Sequence, residues 1–592
     1  MTSLGVGWLG PWLPWGLGGL VGATALPPST CGSSHASAIP TKGPTTCGEN
    51  FLSAIFADTV FVNGRFATLA AGQPEVEALA AHRGRILALG TNREIEALAG
   101  PGTARVDLGG RRVIPGIVES HAHPDSYGIK LTKHHLLAPE RFATIEAVLD
   151  YVSEVTKEAP ADAWFVGYRY NDQKQGGWPT LEQLDRASHG RPLFVWRTDH
   201  HVGFVNSRAM QLAGIGPDTP NPPFGHIDRD AAGKPTGLLR ETAMAPFTGL
   251  LDADDTVTDY AEGLVKVFEE FAKVGITSVV NSLASSKAIR AYQRLRDAGE
   301  LRLRVGLLIS GREPGLIESY IQAGIRSGFG DEWIRVIGVE WCPDCSTSGR
   351  TAAYYEPYVG QPALGEPRPN TGILLYDQDD LTQRVIAAHA AGLQVCLDGV
   401  GDRGIDFCLD CLEAALDAHP KDDHRLRVEH CCYVTPPVLE RLARTGIVDS
   451  SATGFMYSLG DAYIANRGQA AMRHMWPHRT LIDRGLKAPG HSDAPVCSSN
   501  PFLAIHAMVN RRTDTGGDLA ASEAMTVEEA IRAYTELGAW VGREEHDKGT
   551  LAPGKLADFA VLDRDPFTID PLSLAEVQVD MTVVGGTPVH TR

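Results

Sequence analysis

Basic charge is scarce in this 592-residue chain. Its 54 lysines and arginines face 72 acidic residues, a formal net charge of −18. That balance excludes a nucleic-acid-binding surface and a patch for anionic membranes. Cysteine is also scarce: ten residues in all cannot build a disulfide-dense scaffold. Cys342-x-x-Cys345 and Cys408-x-x-Cys411 have the spacing of zinc knuckles. The two pairs lie too far apart for the usual ribbon, and the second falls in a helical stretch. Both read as structural, with Cys342 kept as a thiol that could line a site. Two signatures are missing as well. No G-x-G-x-x-G follows a strand, against a nucleotide-binding sheet, and no G-x-S-x-G elbow supports a serine hydrolase. What the chain does have is 43% hydrophobic residues, enough for a large core and more than one domain.

Residues 1–54 read as a low-complexity extension. Leu4 to Leu26 is apolar but interrupted by Gly, Trp, Pro11 and Pro14, and no Lys or Arg precedes Lys42. A secretory leader wants a basic start, although Ala23-Thr-Ala25 has the look of a cleavage site. A membrane span of roughly 20 residues fits by length, but its glycines and prolines make a poor helix. The expectation is therefore a disordered extension on a cytoplasmic protein, or an upstream start codon, with secretion as the alternative.

Short strands sit at both ends. Ala57-Asp-Thr-Val-Phe-Val-Asn-Gly-Arg-Phe66 alternates and turns at Asn63-Gly64, and residues 77–89 continue as a hairpin. Residues 549–563 and 581–586 are strand-like again. Neither end has enough strands to fold alone, so residues 55–113 and 546–592 are expected to form one small β-sandwich. Between them one unit repeats. Leu264, Val267, Phe268 and Phe271 share a helical face, Gly275 ends that helix, and Ile276-Thr-Ser-Val-Val280 follows as a strand. Leu381, Val385 and Ile386 before Gly392, and Thr435-Pro436 before Gly446, do the same. Such alternation points to an α/β fold, a (β/α)8 barrel over residues 114–545, with an open doubly wound sheet as competitor. Residues 136–257 break the pattern and carry Trp164, Tyr168, Tyr170, Trp178, Trp196 and Phe204. They read as an insertion over the barrel mouth, its aromatics mostly core.

Val113-Ile-Pro-Gly-Ile-Val-Glu-Ser-His-Ala-His123 carries the chemistry. Residues two apart in a strand face one way, so His121 and His123 converge as half of a metal site. Glu340, Asp398 and His430 each close an apolar run, and Asp493 sits in Gly490-His-Ser-Asp. A single carboxylate at a strand end is more often a helix cap; six ionisable residues on several strands are harder to dismiss.

These motifs resemble the metal-dependent amidohydrolase superfamily, in which a Pro-Gly step leads into the first barrel strand and His-x-His closes it. Further strings narrow the resemblance to amidohydrolase family 3, the YtcJ-like proteins that include N-substituted formamide deformylases. They are Arg197-Thr-Asp-His-His-Val-Gly-Phe-Val-Asn-Ser207, Gly233-Lys-Pro-Thr-Gly-Leu-Leu-Arg-Glu241, Gly401-Asp-Arg-Gly-Ile-Asp406, Arg427-Val-Glu-His430, Ser492-Asp-Ala-Pro-Val496 and Pro553-Gly-Lys-Leu-Ala-Asp558. The resemblance implies a divalent metal, usually zinc, and hydrolysis of an amide-type C–N bond in a small molecule. It assigns His121, His123, Glu340, Asp398, His430 and Asp493 as ligands. Asp493 is the candidate base, and His430 or His201 polarises the carbonyl. Two departures stand out. Glu340 occupies the place of a carboxylated lysine, and Asp398 replaces a histidine. The latter leans a second ion toward Mn, Fe or Zn, or loses it. The substrate is expected to be partly apolar or aromatic and the assembly a homodimer. A non-catalytic relative, and a decarboxylase or isomerase on the same barrel, are the alternatives.

Overall fold

The computed structural model describes residues 56–253 and 255–592. The expected N-terminal extension, with its leader and membrane readings, lies outside them. Among the described residues, no helix is long and apolar enough to cross a membrane.

The repeating unit folds as its pattern dictates. Helix Val257–Ala272 starts on a Thr256/Asp259 capping box and buries Leu264, Val267, Phe268 and Phe271. Gly275, at φ +86°, then reverses the chain into strand Ile276–Ala284. Helix Pro436–Thr445 likewise ends on left-handed Gly446 before strand Val448–Ser451. Seven strands form one sheet in the order Val448–Ser451, Arg427–His430, Gln394–Gly399, Ile334–Trp341, Arg304–Ser310, Ile276–Ala284 and Ile117–Ala122. Every adjacent pair is parallel. Residues 489–494 bond to both edges of this sheet. On one side the Ser451 amide donates to Pro489 and the His491 amide donates to Ser451. On the other, the Asp493 amide donates to His121 and the His123 amide to Ala494.

The chain ends share a sheet. Phe559–Leu562 pairs antiparallel with Arg112–Pro115 on one side and with Val579–Val584 on the other. A second sheet contains Ala57–Val62, Ala78–His82, Arg85–Gly90 and Ala99–Asp107. Phe61, Leu79 and Ile86 of the latter pack with Phe66, Val113, Phe559 and Val583 of the former in one buried cluster. The turn at Asn63-Gly64 is present, with Asn63 at φ +54°, but it does not close a hairpin. It passes the chain from one sheet to the other, because Arg65–Ala67 pairs with Glu75–Val76 and Arg112–Pro115 rather than with Ala57–Val62. The 77–89 stretch does form its hairpin.

Residues His135 to Glu241 hold a separate six-stranded sheet. Its aromatics are core, as expected. Tyr170, Trp178 and Phe204 pack in one cluster and Trp164 and Trp196 in another.

Candidate functional site

The six candidate ligands lie at carboxyl ends of the parallel strands, or in the segment joined to them. His121 is in Ile117–Ala122 and His123 caps the helix that follows. Glu340, Asp398 and His430 close or nearly close their strands. All except His123, whose side chain keeps 23% of its surface, are buried.

The structure brings them together around His121. Its Nε2 lies 3.5 Å from Asp493 Oδ1, and His123 Nε2 lies 3.0 Å from the same oxygen. Glu340 Oε1 is 3.6 Å from His121 Nδ1, and Asp398 Oδ2 is 3.9 Å from His430 Nε2. The rings of His121 and His430 are 4.8 Å apart. Donor atoms of His121, His430 and Asp493 all fall within 4.8 Å of one another.

Three residues that sequence reasoning missed complete the cluster. Glu429 Oε2 bonds His121 Nδ1 at 3.0 Å and accepts from Ser450 Oγ at 2.8 Å, while Arg427 Nε holds its other oxygen at 2.5 Å. That leaves Nε2 as the free nitrogen of His121, the arrangement by which a carboxylate orients a ligating imidazole. The His491 ring stacks 4.7 Å from His121, its Nε2 against the Ser450 carbonyl. Glu119 accepts the Ser492 amide at 3.0 Å. The signal was present for two of them. Glu119 lies two residues before His121, and His491 two before Asp493, the same spacing that pairs His121 with His123. Glu429 has no such signal. Neighbours in a regular strand point to opposite sides, yet Glu429 and His430 both reach His121, because His430 takes φ +68°. Asp493 is also left-handed, at φ +56°; strain of this kind collects where a site over-determines its backbone.

Charge explains the ionisation pattern. Burial pushes Glu340 up to about 7, with His121 opposing and Asp398 and Glu429 adding to the push. Burial also raises Asp398. It disfavours an ionised Asp493 too, but the adjacent His121 and His123 imidazoles hold that carboxyl well below its usual range. Burial likewise opposes charge on His121, and Glu340, Asp493 and Glu429 outweigh it and raise the imidazole well above its usual value. Burial lowers His430 to about 4. So many carboxylates demand a cation.

The donor set fits a divalent ion. His121 Nε2, Glu340 Oε1, Asp398 Oδ1, His430 Nδ1 and Asp493 Oδ1 are all buried without a hydrogen-bond partner among the described residues. A buried polar atom left so costs about 1–3 kcal/mol unless something binds it. Mixed imidazole and carboxylate donors suit zinc, manganese or iron.

His201 stands apart. Its Nδ1 bonds Glu241 Oε2 at 2.9 Å, and no hydrogen bond or ion pair joins it to the six candidates among the described residues. Burial would lower its imidazole, but Glu241 raises it to about 9. The cysteines resolve simply. Cys342, Cys345, Cys408 and Cys411 are buried and unpaired to one another, and Cys342 lies beside Asp398 at the site.

Known proteins share this framework. The chain is 27% identical to the N-substituted formamide deformylase of Arthrobacter pascens, over 90% of its own length and 98% of that protein's. It is 29% identical to YtcJ of Bacillus subtilis (strain 168), covering 84% and 92% of the two chains. A solved structure, an uncharacterized metal-dependent hydrolase from Pyrococcus furiosus, superposes with a TM-score of 0.67. It is 26% identical and covers 86% of this chain and 100% of that one. The amidohydrolase family profile matches residues 104–590, and the chain therefore belongs to the amidohydrolase family.

Proposed function

We propose that this protein is a metal-dependent hydrolase that cleaves an amide-type C–N bond of a small, partly apolar or aromatic molecule. The observation that carries the reading is five buried donor atoms left without hydrogen-bond partners, with His121, His430 and Asp493 offering ligand atoms within 4.8 Å of one another. His121, His123, Glu340, His430 and Asp493 would hold at least one divalent ion, zinc by preference, with Asp398 completing a second position. Glu340, Asp398 and Asp493 contribute three negative charges. With a single ion, one carboxylate must keep a proton or turn to solvent. With two, all three are matched, which a buried site favours. The fold reading that goes with this is a (β/α)8 barrel, closed by residues 489–494, on a β-sandwich made from both chain ends.

When bound, such an ion supplies the Lewis acidity that activates a water and polarises a carbonyl. The chain's own residues do the rest. Asp493, at the centre of the cluster, accepts the proton of the attacking water and passes it to the leaving amine. Glu429, braced by Arg427 and Ser450, fixes the tautomer and direction of His121. His201, held as a cation by Glu241, donates a hydrogen bond to the substrate carbonyl oxygen as it gains negative charge.

The convergent cluster also weighs against a non-catalytic relative, since a site freed of function has no reason to leave five donors unpartnered. Metal analysis by plasma emission, on protein purified without chelators, tests the reading. One or two equivalents of a divalent metal are expected. Metal-free protein that regains none on dialysis against zinc, manganese or iron would sink it.

A further inference from the structure

Three metal-ligating side chains meet outside the cluster around His121. His201 directly precedes strand Val202–Val205, and Glu241 ends its antiparallel neighbour Pro235–Glu241. The Glu241 amide donates to the His201 carbonyl at 3.1 Å, so the two side chains start from adjacent backbone. The third comes from a different part of the chain. Cys345 lies in the loop after strand Ile334–Trp341, and that loop is fastened to the six-stranded sheet. Arg197 donates to the Ser348 hydroxyl at 2.9 Å, that hydroxyl donates to Asp199 at 3.2 Å, and Arg240 donates to the Gly349 carbonyl at 3.1 Å. Ligand atoms of His201, Glu241 and Cys345 thereby fall within 4.8 Å of one another.

The cluster is more than an ion pair with a thiol beside it. Glu241 gives Oε2 to His201 Nδ1, but its Oε1 is buried with no hydrogen-bond partner among the described residues. Glu241 keeps 7% of its surface and Cys345 2%, while 20% of the His201 side chain faces solvent. An open carboxylate oxygen and a thiol thus lie inside, with the imidazole at the entrance. Thiolate, imidazole and carboxylate make a three-donor set that leaves a fourth position to water, and the sulfur selects zinc or cadmium over manganese or magnesium. The charge balances as well. Taking up a divalent ion sends the imidazolium proton of His201 and the thiol proton of Cys345 to solvent, two positive charges out for two in. The buried site keeps its net charge, which a low-dielectric setting favours.

We propose that His201, Glu241 and Cys345 form a second metal site, selective for thiophilic divalent ions, and that its occupation switches the enzyme off. The inference rests on the hydrolase reading for its consequence, and on the three side chains alone for the site. His201 donates to the substrate carbonyl only while it carries its proton. An ion held by the imidazole, the thiolate and Glu241 removes that donor from the developing oxyanion. The lost bond is one that strengthens in the transition state, so the effect falls on kcat more than on KM. The cluster around His121 keeps its own ion, because none of its ligands is shared with this site.

The test titrates cadmium chloride into protein carrying its resident metal, with a phosphine in place of any thiol reductant. Bound cadmium and resident metal are counted by plasma emission after gel filtration, and sulfur-to-cadmium charge transfer is read in the ultraviolet. One further equivalent is expected, with that absorption and with the resident metal retained. Cys345→Ser should lose both the equivalent and the absorption, and Glu241→Gln should weaken binding at least tenfold. Cys342→Ser should keep both. In turnover assays with N-formylphenethylamine, cadmium should inhibit wild-type protein in step with the absorption. The concentration for half-inhibition should rise at least thirtyfold in Cys345→Ser. An absorption that survives in folded Cys345→Ser or vanishes in Cys342→Ser overturns the site, as does uptake only by displacement of the resident metal. Full occupation without inhibition overturns the switch. Occupation with the expected mutant pattern, in protein that hydrolyses no amide, would support the site and count against the hydrolase reading.

Discussion

Two buried charged clusters in this protein use the same residue types in opposite ways. At the junction of the parallel sheet with the end-built β-sheet, Arg304 donates to both oxygens of Asp558 at 2.6 and 3.0 Å. Asp558 also accepts the Gly585 amide at 2.7 Å, and the guanidinium lies over Trp333. Charge and hydrogen bonds balance there. Around His121 they do not: three carboxylates and two imidazoles leave donor atoms unpartnered. A buried charge that is fully paired serves the fold, and one that stays open is held for a ligand. Breaking each cluster should therefore have opposite consequences.

The largest effect expected is on chemistry. Asp493→Ala should lower turnover by about 10²–10⁴-fold, the loss that accompanies removal of a general base, while the melting temperature of metal-free protein hardly moves. An Asp493→Ala protein that turns over at the parental rate would break the mechanism whatever its metal content. The mirror experiment is Asp558→Asn, which leaves Arg304 charged and buried. It should cost about 3–5 kcal/mol of stability, the usual result of breaking a buried ion pair, read by denaturant unfolding. The kcat/KM of the protein that remains folded should be unchanged. A loss of activity without loss of stability would erase the distinction between the two clusters.

Smaller effects sharpen it. Asp398→Asn should remove one equivalent of metal and most activity if two ions are bound, and leave metal content unchanged if one is; plasma emission counts them. Glu340→Gln tests the charge argument through pH in metal-free protein. The folded carboxyl titrates near 7 and the unfolded one near its ordinary 4.5, so between those values the native state binds the extra proton. Wild-type stability from this group is thus lost as pH rises through that window. Relative to wild type, Glu340→Gln should become steadily more stable from pH 4.5 to 7, by up to about 3 kcal/mol at one pKa unit per 1.36 kcal/mol. A flat difference would mean that Glu340 ionises normally. The smallest effect is expected from removing residues 1–52. A chain starting at Ser53 should keep both its turnover and its melting temperature, and a fall in either would show that the segment contributes to the body.

Local pattern made much of the fold legible. The faces holding Leu264, Val267, Phe268 and Phe271, and the glycines at 275, 392 and 446, mark helix and strand in sequence because their causes are local: periodicity, and a left-handed residue after the last turn. Asn63-Gly64 shows where this fails. Turn chemistry is local, but whether the next strand pairs back or joins another sheet depends on partners such as Arg112–Pro115, fifty residues on. In the site, His121, Glu340 and Asp398 were readable as polar residues ending apolar strands. Glu429 was not, since the left-handed turn of His430 that aligns them is imposed by the assembled sheet.

What the sequence determined by itself is the inventory: alternating units, strand-end imidazoles and carboxylates, and a net acidic balance. Tertiary structure decided the relations. It set residues 489–494, which carry no strand pattern, against both sheet edges, and so placed Asp493 between His121 and His123. It also closed Arg304, at the start of its strand, onto Asp558 from far along the chain. Residue type and spacing are properties of the chain. Whether a buried charge finds its counterion depends on which distant segments the fold packs against it, and that is set by the whole structure.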